Sequence, residues 1–192
     1  MNAPETYEVF AIRYGTVTSR MRRDNFIITP SHPIDLHDSE MPLDYFVWAV
    51  RNENRTIVVD TGFERTEGDK RGRTITRLPC EGLEIMGIDA AKIEDVIITH
   101  LHYDHAGTLD DFPAARFHLQ ESEMNYATGK HMCHEPFGHA YAPDHICTMV
   151  RRVFDGRVMF HDGAAEIAPG ISVHWIGGHT AGVQCVRILT KR

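Results

Sequence analysis

The stretch Val96-Ile97-Ile98-Thr99-His100-Leu101-His102-Tyr103-Asp104-His105-Ala106-Gly107 decides the reading of this chain. It begins as a compact apolar run of β-branched residues, the pattern of a buried strand. It then sets four metal-competent side chains within six residues. His100 and His102 sit two apart, so on an extended backbone both imidazoles project to the same side. Asp104 and His105 fall on the turn that follows and can face a second ion. Gathering unpaired imidazoles with no shared partner costs desolvation and repulsion, so unrelated histidines capping a strand are the poorer account. Imidazole plus carboxylate, without thiolate, suits zinc and also admits manganese, iron or cobalt.

Working outward, Leu43 to Val50 is β-branched and aromatic, Arg51 to Arg55 is a polar turn, and Thr56 to Val59 resumes as strand, which predicts a hairpin. Asp60-Thr61-Gly62 closes it. Tyr7 to Arg13 alternates in the manner of a strand. Residues 63–80 are charged and glycine-bearing and are expected to form an exposed loop. Asp89 is a plausible N-cap for a short helix through Glu94.

Downstream, Ala115 to Leu119 reads as a strand and Gln120 to Ala127 as a helix. Pro143-Asp144 opens a second helix through Phe154, with Ile146, Met149, Val150 and Val153 on its apolar face. Arg157 to Phe160, Ile171 to Ile176 and Val183 to Leu189 are further strands. Strands at both ends with helices between them predict sheets packed face to face with helices outside.

H-x-H-x-D-H after an apolar strand and a threonine, here T-H-L-H-Y-D-H-A-G, resembles the signature of the metallo-β-lactamase superfamily. The G-H-T-x-G turn at Gly178 to Gly182 and the D-T-G turn at Asp60 to Gly62 match two further elements, in the family's order. The wording around D-Y-F-V-W-A-V and V-V-D-T-G-F, with Tyr103 in the motif, is most similar to the N-acyl-homoserine lactonase branch. The resemblance implies an α/β (α+β) fold, the αββα sandwich of two packed sheets with outer helices. It makes His179 the third imidazole on a first metal beside His100 and His102, with Asp104 and His105 serving a second.

It further implies that Asp60 supports the metal turn from behind by hydrogen bonds and that Tyr103 lines the substrate cavity. Asp104 would both bind metal and orient the attacking hydroxide, opening a small-molecule lactone ring on a two-zinc centre. N-acyl-homoserine lactones, and hence quorum quenching, are the first substrate reading. A pyridoxolactonase or a glyoxalase II-like thioesterase shares the metal motif. No G-x-S-x-G elbow offers a serine nucleophile instead.

The chain departs from the family pattern after His179. The bridging Asp, the Tyr that follows it and a final His have no counterpart, since no Asp follows Asp162. The expectation is one domain over 1–192 that is C-terminally incomplete. Ending on Val183 to Leu189 would also leave an apolar sheet edge. An inactive chain binding one metal or none is therefore a competing reading.

Composition bounds the rest. The 192 residues, 42% hydrophobic and 24% charged, suit one globular domain with a sizeable core. A net charge of −7 argues against general nucleic-acid affinity, and Arg20, Arg22 and Arg23 read as a solvated loop. No run approaches the roughly 18 apolar residues of a membrane span, so no membrane partner is expected. Met1 to Val9 has neither the basic nor the apolar region of a signal peptide. The four cysteines form no C-x-x-C pair and read as reduced thiols, so the expected location is cytoplasmic; a homodimer is left open.

Thirteen histidines make a second centre worth weighing. His131, Cys133, His134, His139, His145 and Cys147 fit no zinc spacing and are expected to be surface or covering residues. His118 is expected to be structural. Met21 and Phe26 could sit over the site or pack in the core.

Overall fold

The computed structural model describes residues 5–26 and 38–191; residues 1–4, where the stretch read as lacking a leader begins, lie outside them. Among the described residues, ten strands form two sheets. The larger is built from β1 (Glu8–Val17), β2 (Leu43–Arg51), β3 (Thr56–Val59), β4 (Thr74–Ile75), β5 (Asp95–Ile97), β6 (Arg116–Gln120) and β7 (Val158–His161), in the order β4-β1-β2-β3-β5-β6-β7. The smaller is β8 (Ala165–Ala168), β9 (Ile171–Trp175) and β10 (Gln184–Ile188), in the order β10-β9-β8. Among the described residues the α-helices are α1 (Arg65–Lys70), α2 (Pro79–Ile85), α3 (Glu121–Ala127), α4 (Glu135–Gly138) and α5 (Pro143–Phe154).

The β2–β3 hairpin forms as its alternation predicts, with Trp48 opposite Val59 and Arg51 opposite Thr56. From β3 onward the pairing is parallel, Val58 beside Val96 and Val96 beside Phe117. The two-residue period then sorts the side chains. Val58, Val96, Ile98, Phe117 and Leu119 face a core shared with Leu83 of α2, Ala127 of α3, and Ile146 and Met149 of α5. Val50, Ile57, Val59 and Ile97 face the smaller sheet and meet Ala168, Ile171 and Val173. Each of the large side chains so buried contributes on the order of 1.5–3 kcal/mol. The layers are therefore helices, large sheet, small sheet.

Residues 63–80 are not an exposed loop. They hold α1, β4 and the start of α2, with Phe63 fully buried and Glu67 6% exposed. Phe63 is edge-on to Tyr14 and Tyr45, with centroids 5.1 and 5.2 Å away. A charged sequence concealed one large anchor. The Asp89 cap is present, its carboxylate accepting from Ala91 N–H at 3.1 Å, but the helix is a single 3-10 turn.

Arg22 and Arg23 also lie on a 3-10 turn, and Arg23 pairs with Asp38 at 2.8 Å. Phe26 is 56% exposed and so is not a core residue. No helix among the described residues is long and apolar enough to cross a membrane.

Candidate metal centre

Parallel strands β3 and β5 end side by side, and the two motif turns leave from their carboxyl ends, where open α/β sheets place ligand sites. Asp60 N–H donates to Ile97 C=O at 2.8 Å, and Thr61 N–H donates to His105 C=O at 2.8 Å, so the D-T-G turn is stitched to the histidine loop. Gly107 lets the loop close: a Cβ there would lie 2.6 Å from Gly62 O and 2.7 Å from Phe63 Cα.

The third motif arrives from the smaller sheet. Gln184 N–H donates to Thr99 C=O at 3.0 Å, which holds the start of β10 against the end of β5. The turn before it thus reaches the histidine loop. The imidazoles of His100, His102 and His179 offer ligand atoms within 4.8 Å of one another. Their centroids are 4.6, 4.9 and 4.7 Å apart, with the rings near-perpendicular. Among the described residues this is the only such group of His, Cys, Asp or Glu.

His105 lies beside it, its ring centroid 4.0 Å from that of His100 and its Nε2 3.4 Å from Asp104 Oδ2. The structure therefore brings all five of His100, His102, Asp104, His105 and His179 to one place, with the tight triad limited to three imidazoles.

The hydrogen bonds behind the cluster fix which nitrogen His100 presents. Asp60 is buried, and its carboxylate accepts from Thr99 N–H at 2.7 Å and from Thr99 Oγ1 at 2.8 Å. Its Oδ2 also lies 2.7 Å from His105 Nδ1. A carboxylate only accepts, so the single Thr99 proton goes to Asp60 and the Thr99 oxygen is left to accept from His100 Nδ1, 3.1 Å away. His100 Nε2 is then an unprotonated lone pair, buried and without a hydrogen-bond partner. Buried polar atoms are rarely orphaned, and this one points to an electron-pair acceptor that the protein itself does not supply.

Electrostatics agree with that tautomer. Burial, reinforced by His105, His102 and His179, drives the His100 pKa strongly down. Burial and His179 lower His102 to about 3, against an opposing pull from Asp104. Both rings are held neutral, the form that ligates. His105 moves the other way: burial alone would lower it, but Asp60 and Asp104 outweigh burial and hold its pKa well above the usual value. Asp104 is likewise depressed, with His105 overcoming the cost of burial. The donor set of three imidazoles with a carboxylate and a fourth imidazole alongside fits a divalent transition metal.

Asp60 itself adopts φ +62°, a left-handed backbone uncommon outside glycine. Such strain clusters at functional sites. It turns the carboxylate back under the loop, where every oxygen is already used.

Tyr103, which the family resemblance makes a lining residue of the substrate cavity, packs largely inside the protein. It is 7% exposed, its ring 5.3 Å from Phe63 and 4.0 Å from the Arg71 guanidinium. Its hydroxyl is 3.0 Å from Tyr45 Oη and accepts from Arg73 Nε at 3.2 Å. Tyr103 thus belongs to an aromatic cluster beneath the loop, since Phe63 and Tyr45 supply apolar cover on that side.

The histidines of the tempting second cluster scatter. His131, His134 and His139 are exposed, whereas His145 is buried in α5 and pairs with Glu64 at 2.9 Å. Cys133 and Cys147 are exposed free thiols. His118 is buried between Asp95 and His161, at 2.9 and 3.1 Å. Residues that sequence reading passed over also meet here. Glu123 touches both histidine loops, and Tyr141 sets its ring edge-on to His102 with centroids 4.7 Å apart. A lone Glu at the start of a helix carries no local signal of such a role.

Two sheets of this topology, joined by a histidine loop and a glycine-flanked histidine turn at the strand ends, define a metallo-hydrolase type of fold. The chain belongs to the metallo-beta-lactamase superfamily, whose family model matches residues 41–192. A crystal structure of a quorum-quenching N-acyl homoserine lactone lactonase superposes with a TM-score of 0.75 at 20% identity, covering 98% of this chain and 71% of that one. AidC, a dizinc quorum-quenching lactonase seen with a product N-hexanoyl-L-homoserine, gives 0.70 at 15% identity, covering 99% and 70%. The N-acyl homoserine lactonase AttM of Agrobacterium fabrum is 40% identical over 45 residues, 23% of this chain. That match spans only 17% of AttM's own length.

Proposed function

We propose that this protein is a metal-dependent hydrolase that opens lactone rings, with N-acyl-homoserine lactones as the first substrate class and zinc as the metal. The observation that carries the proposal is the convergence of His100, His102 and His179 around the orphaned Nε2 of His100. These three imidazoles would hold one ion, and Asp104 and His105 would serve a second. When bound, a divalent ion there supplies Lewis acidity, polarising a carbonyl and making water a stronger acid.

The chain's own groups do the remaining work. Thr99 and Asp60 fix the His100 and His105 tautomers, so neither ring has to reorient as substrate arrives. Asp104, its side chain 22% exposed and 3.4 Å from His105 Nε2, would orient the attacking water through its carboxylate. The lactonase structures and AttM support the substrate class, because each of those proteins is a lactonase.

The test is zinc content by elemental analysis together with turnover of N-hexanoyl-homoserine lactone, an unsubstituted lactone and a thioester. Zinc-dependent lactone opening that His102→Ala abolishes, along with the bound metal, is the expected result. Thioester turnover alone would move the assignment to a thioesterase, and turnover by metal-free His102→Ala would remove the site.

A further inference from the structure

We infer that Glu123 is a positioning residue: one buried carboxylate that holds the two histidine-bearing loops at ligating separation. Glu123 is the third residue of α3 and is fully buried. Each of its oxygens serves a different loop. Oε1 accepts from Leu101 N–H at 2.9 Å, and Leu101 lies between His100 and His102. Oε2 accepts from Thr180 Oγ1 at 2.6 Å and from Gly182 N–H at 2.9 Å, and Thr180 follows His179.

The fourth donor, Tyr141 Oη, reaches Oε1 at 3.2 Å while its ring packs against His102. Four donors occupy the lone-pair directions of one carboxylate, so no part of it is spare. Gly182 makes the approach possible, because a Cβ there would fall 2.2 Å from the Glu123 backbone nitrogen.

His100 and His179 are 79 positions apart in the sequence and arrive from different sheets. Main-chain pairing between Gln184 and Thr99 brings the loops near, but it acts outside both ligand turns. Glu123 acts inside them, on the residue between two ligands and on the residue next to the third. A group that only satisfied stray donors would matter to folding; one that sets ligand spacing also matters to metal affinity. The inference rests on the metal-hydrolase reading above.

The experiment measures Zn2+ affinity of the apo chain by chelator competition and records the visible absorption of the Co2+ form, with far-UV circular dichroism on each variant. Glu123→Gln keeps one acceptor oxygen and turns the other position into a donor aimed at donors, which releases one loop. Its Zn2+ affinity is expected to fall about 10–100-fold, with an altered Co2+ spectrum. Thr180→Val, which removes one donor to Oε2, should show the same change in smaller degree, and Thr180→Ser should restore affinity.

Wild-type affinity and spectrum in folded Glu123→Gln would overturn the positioning role while leaving the hydrolase reading intact. Should Glu123→Gln fail to fold, the Thr180→Val and Thr180→Ser pair decides the question by the same readouts. Absence of any Zn2+ or Co2+ binding by the unaltered chain would overturn both readings together.

Discussion

The side-chain amide of Gln120 donates to the side-chain oxygen of Gln184 at 2.8 Å, and the two residues are 1% and 2% exposed. Gln120 ends β6 in the large sheet and Gln184 starts β10 in the small one. Gln184 Nε2 in turn donates to Ile98 C=O at 2.8 Å and to His118 C=O at 3.1 Å. Gln120 also meets the Gly163 backbone in both directions, at 2.9 Å each way. The pair is a polar rivet through an otherwise apolar interface, placed directly behind the histidine loop.

Replacing Gln184 with Leu keeps the volume, takes the side-chain donor from Ile98 C=O, and removes one of two partners each from the Gln120 amide and His118 C=O. Each buried group left unsatisfied costs about 1–3 kcal/mol, so Gln184→Leu should lose about 1–3 kcal/mol in urea unfolding. A loss under about 1 kcal/mol would show that water or relaxation takes the amide's place.

Asp60→Asn separates backbone strain from hydrogen bonding. Asn tolerates positive φ nearly as well as Asp, so the turn at φ +62° survives. What changes is the acceptor capacity shared by Thr99 and His105. Loss of the partner that orients a ligating imidazole typically weakens metal binding 10–100-fold. Chelator competition should therefore report Zn2+ affinity down by about that factor, at little cost in thermal stability; unchanged affinity would deprive Asp60 of its assigned role.

How much was readable before folding follows the range of the interactions. The H-x-H-x-D-H loop was legible because two residues of spacing fix which side an imidazole takes. The β2–β3 hairpin was legible because its alternation is local. Phe63 was not, since its burial depends on Tyr14 and Tyr45, far away in sequence. The packing of Tyr103 is equally non-local: its neighbours in the chain are metal-site residues, but its ring meets Phe63 and its hydroxyl meets Tyr45. Glu123, Gln120 and Gln184 look like ordinary polar residues of a helix or an edge strand, and only the approach of two sheets gives them work.

The Asp95–His118–His161 chain carries a pH dependence away from the metal centre. Burial and the facing His118 lower the His161 pKa. Unfolded His161 therefore binds its proton more readily than the folded form, and stability falls as pH drops below about 6.5 toward the depressed folded value. Asp95 is also depressed, because hydrogen bonds from His118 and Arg116 outweigh its burial. Its contribution is present above about 3.9 and is lost only as pH falls through the lowered folded value. Chemical unfolding at several pH values should show a decline starting near pH 6.5, to which the lowered His100 and His102 also contribute, and which His161→Gln makes shallower. An identical profile in that variant would assign the decline elsewhere.

Stripping metal should destabilise the fold through the orphan that the ion would occupy. Without an ion, His100 Nε2 is a desolvated acceptor surrounded by three further imidazoles. Neither the buried lone pair nor the crowding of the rings around it gains anything from the apo arrangement. A ligand that binds only the folded chain adds RT ln(1 + [L]/Kd), about 2.7 kcal/mol at a hundredfold excess over Kd. Thermal melts of the chelated protein should therefore shift upward by several degrees on adding Zn2+, in a concentration-dependent way. Gly107→Ala, whose Cβ would press the histidine loop off the D-T-G turn, should lower the apo melting temperature and also shrink that Zn2+-induced shift. A full shift in Gly107→Ala would mean that the ligands assemble without the close contact between the two turns.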